Sequence, residues 1–226
     1  MSKRVRILGM EIDNHTIREM MFLLDEYVNS DGLNLAGVVT ADLLMTASEN
    51  PDIRQILEHM DMHIIGDATI LEVLEETYEQ QVGEVQRRDL EEVFLNSLIS
   101  KRKKVYWISD SENDMPALQD YMQQNYPKLN IAGSYMGDMN EENIDSIVNE
   151  INGVVPDVIL FQTDLLSRLK LFIQYRNQLN AKLCICMGYR IKSKYWSPNR
   201  NSKIKTLIDQ TMFKRKVVRY QMNHKG

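Results

Sequence analysis

Apolar positions along this chain fall into two periods. The short runs LNLAGVVT, MHII, KVYWIS, NIAGSYM, DVILFQ and AKLCICM are rich in aliphatic, β-branched and aromatic residues and predict strands, as does RVRILGM near the amino terminus. Between them lie longer stretches whose apolar residues recur three and four apart. These are HTIREMMFLLDEYVNS, ADLLMTASENPDIRQILEHM, the segment after Asp67, DLEEVFLNSLISKR, about Met115 to Gln124, EENIDSIVNEI and about Leu165 to Leu179, and each predicts a helix. Strands joined through helices of this length pair in parallel, so the pattern predicts an α/β fold: a mostly parallel, doubly wound sheet with helices on both faces. VVPDVILFQ and KLCICMG are almost continuously apolar, as strands buried on both faces are.

At 226 residues and 43% hydrophobic content, the chain can bury a substantial core. No apolar run reaches the roughly 18 residues that span a bilayer. The start, MSKRVRILGMEID, lacks the apolar block of a signal peptide, which predicts a cytoplasmic chain. Cys184 and Cys186 share a strand face without easily bridging and read as strand filler. The net charge of −5 conceals an asymmetry: eleven of the 27 Lys/Arg but only one of the 32 acidic residues lie from Arg190 onward. An acidic body thus carries a basic tail, and SKYWSPNRNS, with its Trp196-Ser197-Pro198 turn, marks the boundary between residues 1–189 and a basic appendage, 190–226. Such a tail suits phosphate groups, an anionic membrane or nucleic acid, and a solvated terminal helix is the plainer reading.

In doubly wound sheets ligands bind outside the carboxyl ends of the strands. That rule selects Thr40, Asp42, Asp67, Asp110, Tyr135 to Asp138, Gln162 to Asp164 and Gly188 to Arg190. GxGxxG, P-loop, HExxH and GxSxG signatures are absent, which removes support for dehydrogenase, nucleotide-triphosphatase, zinc-protease and serine-hydrolase readings. His15, His59, His63 and His224 have no metal-ligand spacing and read as lone surface or capping residues. SDSEND carries Asp110, Glu112 and Asp114, able to hold a cation or ribose but equally a polar loop capping a helix, and in YMGDMNEEN Asp138 or Asn140 can cap the helix near Glu141. Asp67, in HIIGDATI, is open between two roles. It precedes a helix as a favoured cap, and it stands where a general base would.

The order of residues resembles the WecG/TagA/CpsF glycosyltransferases over most of the chain. RVRILGMEIDNHTIREM resembles that family's opening strand and helix, VVTADLLMTASENPDIRQIL its T-x-N segment, and DMHIIGDATILEVL its A-D-x-x-x-P-D-G segment. YPKLNIAGSYMGDM is similar to its yP-x-L-x-I-x-G-x-x-x-G-Y-F stretch, VVPDVILF to its pDil-V strand, and MFKRKVVRYQ to its basic appendage, where Arg215 and Arg219 match two arginines. The resemblance implies a Rossmann-like body that binds a UDP-sugar without metal or other cofactor. It also implies inverting transfer of an N-acetylhexosamine to a polyprenyl-diphosphate-linked sugar in cell-envelope or capsular polysaccharide synthesis. Asp67 would be the base for the acceptor hydroxyl. Thr40, Asp42, Arg87, Arg168, Arg215 and Arg219 would bind substrate, and the tail would meet an anionic membrane at its inner face.

Several motif positions differ. Asp42 stands for the asparagine of T-x-N, Ala68 for the glycine after the aspartate, Glu84 for the arginine of E-R-V-x-G, Leu169 approximately for a glutamine, with Arg168 adjacent, and Asp209 for an appendage arginine. Arg87 or Arg88 can compensate for Glu84. These replacements concentrate in what the resemblance implies are donor-binding loops, and they leave a second reading, a non-catalytic paralogue that partners or regulates another glycosyltransferase. Association with a second copy of the chain also stays open. A nucleic-acid binder has no aromatic-interleaved basic motif behind it, so no nucleic-acid partner is expected.

Overall fold

The computed structural model describes residues 4–66, 68–78, 87–109, 115–162, 166–187 and 200–224. The first two strands, β1 (Arg4–Ile7) and β2 (Met10–Asp13), form an antiparallel hairpin separate from the main sheet. RVRILGM is therefore not the first strand of the parallel sheet. Leu8 and Gly9 adopt φ of 49° and 81°, the left-handed pair that closes a two-residue hairpin, and this turn folds the run back on itself. Leu8 holds that costly conformation while buried at 1% exposure.

Helix α1 (Ile17–Val28) starts at a reciprocal capping box, in which the Thr16 hydroxyl accepts from Glu19 N and Glu19 Oε2 accepts from Thr16 N at 2.8 Å. Next come β3 (Asn34–Val39), α2 (Ala41–Glu49), α3 (Pro51–Glu58) and β4 (Met62–Ile65). The single helix expected from ADLLMTASENPDIRQILEHM is thus two. Pro51 pushes Asn50 to extended backbone (φ −119°, ψ 111°), and the Asn50 side chain then caps α3 by accepting from Asp52 N and Ile53 N. The chain continues through α4 (Ala68–Tyr78), α5 (Arg87–Ser100), β5 (Lys104–Ser109), α6 (Met115–Asn125), β6 (Asn130–Met136), α7 (Ile144–Val154), β7 (Val158–Gln162), α8 (Leu166–Gln174), β8 (Leu183–Met187) and α9 (Arg200–His224).

Six strands form one all-parallel sheet in the order β4-β3-β8-β7-β5-β6. Alternation along each strand sorts side chains to two faces. Ala36, Ile64, Trp107, Leu160 and Ile185 pack under α1, α5 and α6, whereas Leu35, Tyr106, Ile108, Phe161 and Cys184 pack against α3, α7 and α8. This is the Rossmann-like doubly wound arrangement, with helices on both faces. Cys184 and Cys186 are free, buried and 3.9 Å apart on one face; burial first, then each other's proximity, pushes the Cys184 thiol well above its ordinary pKa.

A third cluster joins the hairpin to α2, α4 and α9. Within it Phe213 and Val217 of α9 are both at 0% exposure, beside Leu44, Ile70 and Leu74. Lys214 pairs with Glu72 of α4 at 3.0 Å, and Lys216 pairs with Glu49 of α2. The later part of the basic tail is accordingly packed on the body and is not a solvated helix. The boundary expected near residue 190 lies outside the described residues. No described helix is long and apolar enough to cross a membrane.

Candidate functional site

Because all six strands are parallel, their carboxyl ends share one rim, and the segments named from the sequence follow these ends. β3 and β4 pair with Val39 beside Ile65, and Gly66 N donates to Val39 O at 2.9 Å. Thr40 therefore lies abreast of Gly66. Its Oγ1 accepts from Leu43 N at 3.2 Å as the cap of α2. A hydroxyl used in this way still has a hydrogen to donate to a ligand. Helices α2 and α4 both begin just beyond these adjacent strands, so two positive helix ends meet the same rim, a setting suited to phosphate oxygens. Asp42 is exposed in the first turn of α2, where its charge suits the helix end.

Asp67 lies outside the described residues, as do Glu84, Asp110, Glu112, Asp114, Thr163, Asp164 and Gly188 to Arg190. Arg87 opens α5 and Arg168 lies in α8, but their side chains are outside the described set. Arg215 and Arg219 are exposed on α9. Each is two residues, and so roughly 200° of helical rotation, from a buried residue, Phe213 or Val217, which puts both arginines on the side away from α2 and α4. Leu169, at 7% exposure, belongs to the core with Phe172.

The rim at β6 is structural. Asn140 Oδ1 accepts from Glu142 N and Asn143 N, the Tyr135 hydroxyl and Asn143 amide both donate to Asp138 O, and α7 starts only at Ile144. The histidines correct the expectation of lone surface or capping residues in two cases. His63 is 5% exposed: its backbone N–H donates to Asp13 Oδ2 at 2.9 Å, Nδ1 lies 3.2 Å from the same oxygen, and Nε2 lies 3.1 Å from Leu57 O. His15 is also buried, with Nε2 3.8 Å from Asp13 Oδ1, which additionally accepts from Arg4 Nε at 3.2 Å. The cluster ties the hairpin to β4 and α3. Nothing in the spacing of residues 13, 15 and 63 foretold it, because the contact depends on the unforeseen hairpin. His59 does act as a cap, its Nδ1 lying 2.7 Å from Gln55 O at the end of α3.

Farther along the rim, Ser109 and Gln162 end the neighbouring strands β5 and β7 side by side and are buried at 2% and 7% exposure. Trp107, two residues before Ser109, is at 2% exposure. Gln162 was on the strand-end shortlist; Trp107 and Ser109 were hidden inside an apolar strand run. Among the described residues, no group of three His, Cys, Asp or Glu could hold a metal ion.

No curated protein sequence matches the chain. A family model does: that of the Glycosyl transferase WecG/TagA/CpsF family, over residues 5–193. That span takes in the hairpin, the whole parallel sheet and its rim, and the chain belongs to this glycosyltransferase family.

Proposed function

We propose that the protein transfers an N-acetylhexosamine from a UDP-sugar to a polyprenyl-diphosphate-linked sugar, with inversion and without a metal, in cell-envelope polysaccharide synthesis. The observation that carries this reading is the family match across residues 5–193, in which Thr40 and Asp67 follow the adjacent parallel strands β3 and β4. Asp67 takes the proton of the attacking acceptor hydroxyl, and the Thr40 hydroxyl and the start of α2 hold the donor with Asp42 beside them. Arg87 and Arg168 offset charge on the departing UDP. Arg215 and Arg219, facing outward on α9, meet the diphosphate of a lipid-linked acceptor at an anionic membrane surface, so that the enzyme works peripherally on the inner face.

Calorimetry with UDP tests the reading. Binding is expected, weakened by Arg87→Ala and Arg168→Ala, and absence of binding to UDP and to every UDP-sugar would sink it. Asp67→Asn abolishes turnover with little change in melting temperature; retained turnover with a sharp drop in melting temperature would make Asp67 a helix cap only. Glu84 and the core-buried Leu169, standing where the family pattern has an arginine and a glutamine, favour the second reading, a non-catalytic partner of another glycosyltransferase. For that reading UDP binding is absent and co-purification with an active transferase is the expected result.

A further inference from the structure

Two polar atoms, one in β5 two residues short of the rim and one at the end of β7, are buried without a hydrogen-bond partner: indole Nε1 of Trp107 and Oε1 of Gln162. Leaving such groups unpaired opposes folding, so their presence calls for a partner that the folded chain itself does not supply. Their placement narrows what that partner is. β5 and β7 pair Trp107 with Leu160 and Ser109 with Gln162. Trp107 and Leu160 belong to the same core, so alternation puts Gln162 on that face as well, a diagonal neighbour of Trp107 within reach of two long side chains.

The two strands also part company here. β5 leads to α6, which covers the Trp107 face, whereas β7 leads to α8, which covers the opposite face. Connections that leave neighbouring strands toward opposite faces open the crevice in which doubly wound sheets bind ligands. Of the two unpaired atoms one can only donate and the other accepts. The complementary ligand edge is a carbonyl oxygen next to an N–H.

We infer that Trp107 and Gln162 form the subsite for the uracil of the donor nucleotide, with Trp107 Nε1 donating to the O4 carbonyl oxygen and Gln162 Oε1 accepting from the adjoining N3–H. The inference rests on the UDP-sugar reading above and adds the residues that read the base. Cytosine presents the reverse pattern, an amino donor beside an unprotonated N3, and would set donor against donor and acceptor against acceptor. The subsite therefore selects uridine over cytidine nucleotides.

Titration calorimetry of the full chain with UDP and with CDP, repeated on Trp107→Phe and Gln162→Met, tests this, together with thermal melts of the free proteins. Wild type is expected to prefer UDP by about tenfold or more, and each variant to lose about tenfold in UDP affinity while binding CDP much as before. The free-protein melting temperature of Gln162→Met stays level or rises, because it removes a buried polar group that lacked a partner at nearly constant volume, whereas Trp107→Phe also gives up core packing. Equal binding of UDP and CDP by wild type, or unchanged UDP affinity in both variants, overturns the subsite and leaves the donor reading standing; a bound water alone at these atoms gives this outcome. A marked fall in the melting temperature of Gln162→Met also overturns it, since that group would then serve the fold. Failure of wild type to bind either nucleotide removes the donor reading and the subsite together.

Discussion

Replacing Phe213 with alanine tests whether the basic tail is part of the folded body. Phe213 is wholly buried in the cluster that α9 shares with α2, α4 and the hairpin. Truncating a buried phenylalanine to alanine costs about 3–5 kcal/mol, through lost transfer free energy and the cavity left behind. That is a large share of the roughly 5–15 kcal/mol by which domains are stable. With a urea m-value of about 3 kcal/mol per molar, the unfolding midpoint falls by about 1 to 1.7 M. Met212→Ala is the control: Met212, next to Phe213 on the same helix, is 56% exposed, and its truncation should shift stability by no more than about 0.5 kcal/mol. Urea unfolding followed by far-UV circular dichroism reads both. If the two variants share one small shift, α9 does not contribute to the core and the packing described for the tail is wrong.

Three further substitutions probe other parts of the structure. Gly133→Ala would place a Cβ 2.7 Å from Cε2 of Tyr106, a ring fixed by burial and by its hydroxyl donating to Glu150 Oε1 at 2.6 Å. Overpacking of this kind costs about 1–3 kcal/mol, so an unchanged melting temperature would contradict the contact. Burial first, and then the Glu150 hydrogen bond, push the Tyr106 hydroxyl far above its ordinary value of 10.0; native protein thus keeps a proton that the unfolded chain gives up, and the Tyr106 contribution to stability is level below pH 10 and falls as pH rises beyond it. Tyr106→Phe flattens that alkaline decline in denaturation midpoints measured from pH 8 to 11, with the remaining slope coming from Cys184 and Tyr27, which shift the same way; an unaltered slope refutes the assignment. Asp13→Ala strips the carboxylate from His63, Arg4 and the His63 backbone N–H, and a loss of about 3 kcal/mol or more is expected in chemical denaturation, whereas a loss below about 1 kcal/mol means the hairpin is held by its apolar residues alone.

The parallel sheet was legible in the sequence because its strands are nearly pure apolar runs separated by helices too long for hairpins. All six of its strands fall on the runs LNLAGVVT through AKLCICM. The amino-terminal hairpin was not legible, since a two-residue turn with leucine at positive φ lacks the usual Asn-Gly or Asp-Gly signal. Pro51 was in plain view, yet the helical period runs on across it, and only the Asn50 cap shows that one helix became two. The rim was found by topology alone, and Thr40 was correctly placed there by the rule that ligands lie beyond strand carboxyl ends. Long-range polar contacts were out of reach: the Asp13–His63 pair spans 50 residues, and the neighbourhood of Trp107 and Gln162 follows from strand order, which periodicity does not encode. The tail's charge advertised a solvated or ligand-facing segment, while two apolar residues four apart, Phe213 and Val217, carried the signal that one face of α9 is buried.

Transfer itself is the most direct test of the central claim. The full chain is incubated with UDP-N-acetylhexosamines and a short polyprenyl-diphosphate-linked sugar, and the lipid product is examined by mass spectrometry and its new linkage by NMR. The account predicts acceptor lengthened by one N-acetylhexosamine, with inverted anomeric configuration, in a reaction that persists in chelator and disappears in Asp67→Asn. UDP binding without product from any donor, or turnover undiminished in Asp67→Asn, would contradict it.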